Sequence, residues 1–259
     1  MNITNNYFNQ VNIEYNPLYR YTKRIINNVI DVIIKQTNNK ISSIVDLGCG
    51  NGYPAELFLK KSSNVKLTLI DCSNKMILAA KKRLMGFDSK VNYLLADFNV
   101  LNMPNNLFDI GFSSSTLHFV TNIKFFLTSL NKIISKNGLL VLLYYDRDDL
   151  EIQLFHKILN IFHSIEKKRH YSTNEIIKTS KEIGFMVIYK KIFQYEICFS
   201  TPNSFIDFII SRPFSGFGFM TEIEFSKDFQ NCINFINDLS PNSTLTVKSQ
   251  IRLLILKNT

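Results

Sequence analysis

From Ser43 to Tyr145 the chain alternates short apolar runs with amphipathic ones, and this change of period constrains the fold more than any other feature. Ser43–Leu47 (SIVDL), Val65–Ile70 (VKLTLI), Val91–Leu95 (VNYLL), Phe108–Phe112 (FDIGF) and Leu139–Tyr145 (LLVLLYY) read as strands. Pro54–Lys61, Lys75–Leu84 and Ile123–Ser135 read as helices, the last closed by Asn137-Gly138. Strands alternating with helices make βαβ units with right-handed crossovers, and so an α/β fold with a parallel sheet. The run at Leu139–Tyr145 agrees, because a strand covered on both faces shows no polar alternation.

The flanks follow other patterns. Tyr19–Gln36 repeats apolar residues at helical spacing. Leu150–Lys168 reads as one helical stretch. Ser172–Ile183 reads as a helix that opens on a capping sequence, Ser172-Thr173-Asn174-Glu175, and stops at Gly184. Val187–Phe199 and Leu245–Leu256 are long strands separated by loops and helices at 200–242. Two strands joined in this way form an antiparallel pair that closes the sheet. One domain over residues 1–259 is expected.

Composition enters through charge. The 259 residues carry 30 Lys+Arg against 21 Asp+Glu, a net +9. That excess raises nucleic acid, an acidic membrane surface or an anionic ligand as partners. The basic residues are dispersed, however. Lys60-Lys61, Lys81-Lys82-Arg83, Lys167-Lys168-Arg169 and Lys190-Lys191 fall mostly on separate elements, which reads as solvated faces. The chain has 22 Phe, 9 Gly and no Trp, and it is rich in Ile, Asn and Lys. That is the bias of an AT-rich genome, which raises the lysine count without a functional cause. Nucleic acid is therefore not the expected partner. No apolar run approaches a membrane span. Cys49, Cys72, Cys198 and Cys232 form no CxxC pair. They read as reduced thiols in a cytoplasmic protein without a zinc site. Met1–Gln10 is polar and lacks the charged-then-apolar order of a secretion signal.

The sharpest local feature is Val45-Asp46-Leu47-Gly48-Cys49-Gly50-Asn51-Gly52, between the first strand and its helix. Glycines there let the chain turn tightly and let a ligand approach the backbone. Asp71 ends the next strand about twenty residues on, the offset expected of an acid that binds ribose hydroxyls. Asp97-Phe98 ends the third strand with one acceptor and one aromatic face. Three acids at successive strand ends share one crevice at the carboxyl edge of the sheet. Such a crowd is poor for a pyrophosphate and suits a cationic ligand bearing a ribose and an adenine.

These residues resemble the class I S-adenosylmethionine-dependent methyltransferases, whose loop D/E-x-G-x-G-x-G is matched by Asp46, Gly48, Gly50 and Gly52. The resemblance covers residues 40–145, the expected cofactor-binding core. It implies a Rossmann-like, mostly parallel sheet of seven strands whose last two form the antiparallel pair, with helices on both faces. It implies S-adenosylmethionine as cofactor, with Asp46 and Gly48–Gly52 at its methionine end. Asp71, followed by Cys72, would bind the ribose. Asp97 would take the adenine amino group, with Phe98 beside the ring. Met76 stands where such enzymes pack an apolar side chain on adenine, and it could equally be core. Ser113 and Ser114 would lie beside the methionine moiety. Asp109 reads as a residue that orients its strand.

The resemblance further implies an N-terminal helical lid at 1–36 and a substrate cap inserted at 200–242. Tyr15 and Tyr19 could close over the sulfonium, where aromatic faces favour a cation, or simply pack the first helix. Arg212, flanked by Phe214 and other phenylalanines, is a candidate anion anchor; its alternative is a surface loop arginine. His118, in Ser114-Ser115-Thr116-Leu117-His118-Phe119, follows the fourth strand. A neutral imidazole there could take a proton from a hydroxyl or amine, or it could bond to backbone. His156, His163 and His170 recur at heptad-like spacing and read as a partly exposed helix face, a weak metal signal. Ser113-Ser114-Ser115-Thr116 is not the NPPY-like tetrad of the exocyclic-amine methylases. The expected reaction is methyl transfer to oxygen or nitrogen of a small-molecule acceptor, a carboxylate or a natural product. An RNA methyltransferase and a malonyl-carrier-protein carboxyl methyltransferase are the alternatives, the latter with an anionic, carrier-bound acceptor.

Overall fold

The computed structural model describes residues 18–38, 40–62, 64–100, 103, 105 and 108–259, with side chains from residue 21 onward. Helix α1 (Leu18–Gln36) precedes the core, which runs β1 (Ser43–Leu47), α2 (Tyr53–Lys61), β2 (Lys66–Asp71), α3 (Asn74–Arg83), β3 (Val91–Leu95), β4 (Phe108–Ser114), α4 (Ile123–Ile133) and β5 (Ile134–Tyr144). Three helices follow, α5 (Leu154–Ile158), α6 (Asn160–Arg169) and α7 (Thr173–Ile183). Strand β6 (Phe185–Phe199), helices α8 (Pro202–Ile210) and α9 (Glu222–Asn237) and strand β7 (Leu245–Asn258) complete the chain.

The strands form one seven-stranded sheet in the order β3-β2-β1-β4-β5-β7-β6. Strands β1 to β5 pair in parallel, and β7 runs antiparallel to both β5 and β6. The expected fold is borne out, including the antiparallel last pair. Successive side chains of a strand point to opposite faces. Ile44 therefore joins the cluster under α1, α2 and α3, and Val45 the cluster under α4 and α7. Both faces of the central strands are covered, which is why β5 shows no polar alternation from Leu139 onward. Among the described residues no helix is long and apolar enough to cross a membrane.

Three local readings are corrected. Asn137-Gly138 does not close a helix. Helix α4 stops at Ile133 and β5 begins at once, so Asn137, at φ +66°, lies in an irregularity of the strand. There the pairing with β4 jumps from Phe108 opposite Ile134 to Ile110 opposite Leu139. The stretch 150–168 is broken at Leu159 into α5 and α6, because Asp228 of α9 accepts the first N–H groups of α6 from Ile161 (3.0 Å) and Phe162 (2.7 Å). The histidines are not one partly exposed helix face: His156 of α5 and His170, just past α6, are buried, and His163 of α6 is half-buried.

The last hairpin positions the functional edge. Strands β6 and β7 pair from Phe185 opposite Asn258 to Phe199 opposite Leu245, but β5 follows β7 only as far as Tyr144 opposite Arg252. The outer half of the hairpin overhangs the carboxyl edge of the sheet. Ile197, Phe199 and Val247 of that overhang enter a third apolar cluster with Phe155, Phe162, Phe205, Phe208 and Phe217. The 200–242 segment is thereby seated beside the edge where β1 and β4 end.

Candidate active site

The turn after β1 is built by left-handed backbone at Gly48, Gly50 and Gly52, at φ +71°, +54° and +74°. Its first N–H groups, of Gly48 and Cys49, both donate to the Ile70 carbonyl, at 2.8 and 3.0 Å. A Cβ on Gly48 would lie 2.6 Å from Thr116 Oγ1, whereas one on Gly50 would meet nothing within 4 Å. The loop is thus closed against β4 on one side and open on the other, the side a ligand would occupy.

Asp46 is buried, and its Oδ2 has no hydrogen-bond partner. Burial, and then the charge of Asp71, pushes its carboxyl up to about 8. A buried acceptor left without a partner is costly, so this atom is aimed at something that donates. Asp71 is also buried. Its Oδ2 accepts from Gly50 N at 3.0 Å and its Oδ1 from Ser73 N at 2.9 Å. Burial raises its carboxyl although these N–H groups pull the other way. The acid that ends β2 therefore also ties the glycine loop in place. Asp97 Oδ1 accepts from the backbone and side-chain nitrogens of Asn99, both at 2.9 Å. Asn99 in turn donates to Phe119 O at 3.0 Å and accepts from Thr121 N at 2.9 Å, joining the exits of β3 and β4.

The remaining cofactor candidates lie around these acids. Cys72 is half-buried, its thiol pushed up to about 11 by burial and by Asp71 and Asp97. Met76 is buried on the first turn of α3, which Ser73 caps. Phe98 is buried and meets Phe126 edge-on at 6.0 Å, so it belongs to the core under α4. Ser113 and Ser114 occupy the last rungs of β4, opposite Leu142 and Leu143. Asp109 accepts from Ser42 N (2.8 Å), Ser42 Oγ (2.7 Å) and Ser43 N (3.0 Å), holding β1 beside β4.

Beyond β4, His118 sits on a short turn two residues after Thr116, whose Oγ1 lies 3.5 Å from Gly48 O. Its Nε2 is 3.2 Å from Ser215 Oγ, and its ring stacks on His170 at 5.2 Å. Ser215 Oγ accepts from Arg169 Nη2 at 3.0 Å. Arg169 also donates to Glu166, and its guanidinium lies 5.1 Å from the Phe119 ring and 4.3 Å from the Phe219 ring. His170 Nδ1 donates to Glu166 O at 2.8 Å. His156 meets His163 edge-on at 5.4 Å, and burial, His163 and His170 lower it to about 3. Among the described residues no group of three or more His, Cys, Asp or Glu could hold a metal ion.

Two acceptor candidates are placed elsewhere. Arg212 gives both terminal nitrogens to Glu222, at 2.8 and 2.6 Å, and stacks 3.9 Å from the Phe225 ring. Its guanidinium is already clamped on a carboxylate of its own chain, so it is not the anion anchor expected from the sequence. Phe214 packs among Phe155, Phe162 and Phe208 in the aromatic core of the 200–242 segment. Tyr15 lies outside the described residues, and so does the side chain of Tyr19. Sequence reasoning missed Thr116, Asn99, Arg169 and Ser215. Thr116 and Asn99 had a signal, being adjacent to strand ends already singled out. Arg169 and Ser215 had none, because they are joined only by the fold.

Residues 45–142 match the family model described as a methyltransferase domain. The core of this chain is thus similar to a methyltransferase domain. The match spans β1 to β5 and contains the loop and all three acids. A malonyl-[acyl-carrier protein] O-methyltransferase of Paenibacillus sp. is 25% identical over 172 residues, 63% of this chain and 62% of that protein. A carboxy-S-adenosyl-L-methionine synthase of Campylobacter hominis is 25% identical over 177 residues, 66% of this chain and 71% of that protein. The chain thus spans less than two thirds of the first relative. The YcgJ protein of Bacillus subtilis superposes with a TM-score of 0.61 at 16% identity, over 88% of this chain and 97% of that one. The class I resemblance read from the glycine loop is borne out as a fold.

Proposed function

We propose that this chain is an S-adenosylmethionine-dependent methyltransferase that transfers a methyl group to a small-molecule acceptor. The observation that carries the reading is the unpartnered Oδ2 of buried Asp46 beneath a glycine loop whose outer side is open. A cation carrying an N–H donor satisfies that atom and stabilises the ionised carboxylate. The bound cofactor supplies an electrophilic methyl on a sulfonium. Asp46 and Gly48–Gly52 hold its methionine end, with Ser113 and Ser114 alongside. Asp71 keeps lone pairs for the ribose hydroxyls after accepting from the loop, and Cys72 lies next to it. Asp97 has Oδ2 left for the adenine amino group, Met76 packs on the ring, and Phe98 backs that side from the core. The aligned site excludes water, which is most of what a direct displacement needs.

Residues 1–36 act as the lid, with Tyr15 and Tyr19 on it, and residues 200–242 as the acceptor cap. His118 faces the acceptor. The relative's acceptor, malonyl carried on acyl-carrier protein, supports a carrier-bound acid as the second reading. The RNA reading loses support, because three of the four basic clusters are the last turns of separate helices and the fourth, Lys190-Lys191, lies apart on β6. The four free cysteines fit a reducing, cytoplasmic setting. Calorimetric titration with S-adenosylmethionine tests the proposal: binding is expected, and its absence at millimolar ligand refutes it. Methyl transfer to free acids against the same acids on a carrier separates the two acceptors.

A further inference from the structure

The hydrogen bonds around His118 favour one direction, the one that leaves the Ser215 hydroxyl proton with a partner. A guanidinium donates and never accepts, so Arg169 gives a proton to Ser215 Oγ. Among the described residues, the acceptor left for the hydroxyl proton of Ser215 is His118 Nε2, at 3.2 Å. A nitrogen that accepts carries no proton. Burial, with Arg169 and His170 adding to it, holds the His118 imidazole well below its ordinary value, so the ring stays neutral. A neutral imidazole with a bare Nε2 has its proton on Nδ1. No described residue bonds to that nitrogen. The lock is itself braced: Arg169 is fixed by Glu166 and by the rings of Phe119 and Phe219.

We infer that Ser215 and Arg169 hold His118 as its Nδ1–H tautomer, a hydrogen-bond donor rather than a base, and that the acceptor taken here is a carboxylate. This rests on the methyltransferase reading. A base must receive a proton, yet Nε2 is occupied by Ser215 and Nδ1 is already protonated. A hydroxyl or ammonium acceptor must lose a proton to react. A carboxylate has none to lose. One of its oxygens accepts from His118 Nδ1. The other forms the new O–C bond while the S–C bond breaks, the electron pair of that bond returning to sulfur. His118 is then the catalytic residue, and Ser215 and Arg169 position it.

Nitrogen NMR of histidine-labelled protein reads the tautomer directly. The chain has 4 histidines, and His118→Asn assigns the signal. Nδ1–H is expected across about pH 5 to 8; an Nε2–H pattern or an imidazolium overturns the inference. Ser215→Ala is expected to give a mixture of tautomers, and an unchanged pattern overturns the lock. Label transfer from S-adenosylmethionine to a panel of carboxylates, phenols and amines reads the class. Carboxylate methylation at saturating S-adenosylmethionine with a flat rate across about pH 6 to 8 is expected; methylation of phenols or amines alone overturns the proposal. His118→Ala should lose about 10- to 100-fold, as for a charge-assisted bond, and His118→Asn, which keeps an N–H near the Nδ1 position, should recover part of that loss. Equal loss in both variants overturns the donor role. A protein that binds no S-adenosylmethionine and methylates nothing, yet shows the Nδ1–H tautomer, would refute the methyltransferase reading and leave the lock standing.

Discussion

Asp46→Asn exchanges a buried carboxyl for an amide of nearly the same shape, and it separates what the loop does for folding from what it does for binding. Burial and Asp71 raise the folded-state carboxyl from 3.8 to about 8. The native protein therefore keeps a proton that the unfolded chain releases above about pH 4. Stability falls as pH rises through that window and levels off above pH 8. At about 1.4 kcal/mol per unit, the ceiling is on the order of 5 kcal/mol. Water entering the open side of the loop lowers it, and about 2 kcal/mol is expected, because effective dielectrics near such sites are about 20. The amide has no such proton, so the variant should gain stability relative to wild type as pH rises from about 5 to 9. For a chain of this size that is a shift of about 4–8 °C in Tm. Cofactor binding should move the opposite way. Loss of the charge-assisted bond weakens S-adenosylmethionine by about 10- to 100-fold, and wild-type affinity should rise with pH toward 8 with proton uptake by the buffer. Thermal scans and calorimetry in buffers of different ionisation heat read both effects. A Tm difference that is flat across pH, or an unchanged affinity, would refute the assignment of Asp46 as the cation's partner.

Other substitutions probe the frame. Arg252 of β7 donates to both oxygens of Asp149 at 2.6 Å and lies 3.4 Å from Asp146, both buried. Arg252→Ala strands those carboxylates and should cost about 2–3 kcal/mol in urea denaturation, less than a fully buried pair because the arginine is partly exposed; a cost below about 0.5 kcal/mol would be that of an ordinary surface change. Gly48→Ala must hold φ +71° and push into Thr116, so at least about 1–2 kcal/mol and most of the cofactor affinity should go, read by Tm with and without ligand. Arg212→Ala removes a pair with an exposed glutamate, so acceptor KM should stay within about twofold, and a large rise in KM would restore Arg212 to the acceptor site.

The net charge shows how a compositional signal acquires its meaning. Lys60-Lys61, Lys81-Lys82-Arg83 and Lys167-Lys168-Arg169 are the last turns of α2, α3 and α6. Cations there meet the negative end of the helix dipole and its unpaired carbonyls. Arg83, Arg147, Arg169, Arg212 and Arg252 are each paired with an acid of the same chain. The three clusters on helices are accounted for by local helix stability and by ion pairs, and Lys190-Lys191 stands alone on β6.

The alternation of periods, the glycine loop and the acids at strand ends were legible because each is a local property. Ser43–Leu47 and Val91–Leu95 appear with the boundaries their apolar runs define, and the capping box at Ser172 and Glu175 forms as its spacing requires. In a parallel sheet, the ends of successive strands converge on one edge whatever the intervening residues are. That is why Asp46, Asp71 and Asp97 could be assigned to one crevice from order alone. The acceptor side was not legible in this way. His118, Arg169 and Ser215 come from three separate segments, and Arg212 looked like an anchor until Glu222, ten residues on, was seen to hold it. Backbone periodicity and turn chemistry act over a few residues and are written into the sequence. The direction of a hydrogen bond depends on which groups remain free to donate or accept, and tertiary packing alone decides that.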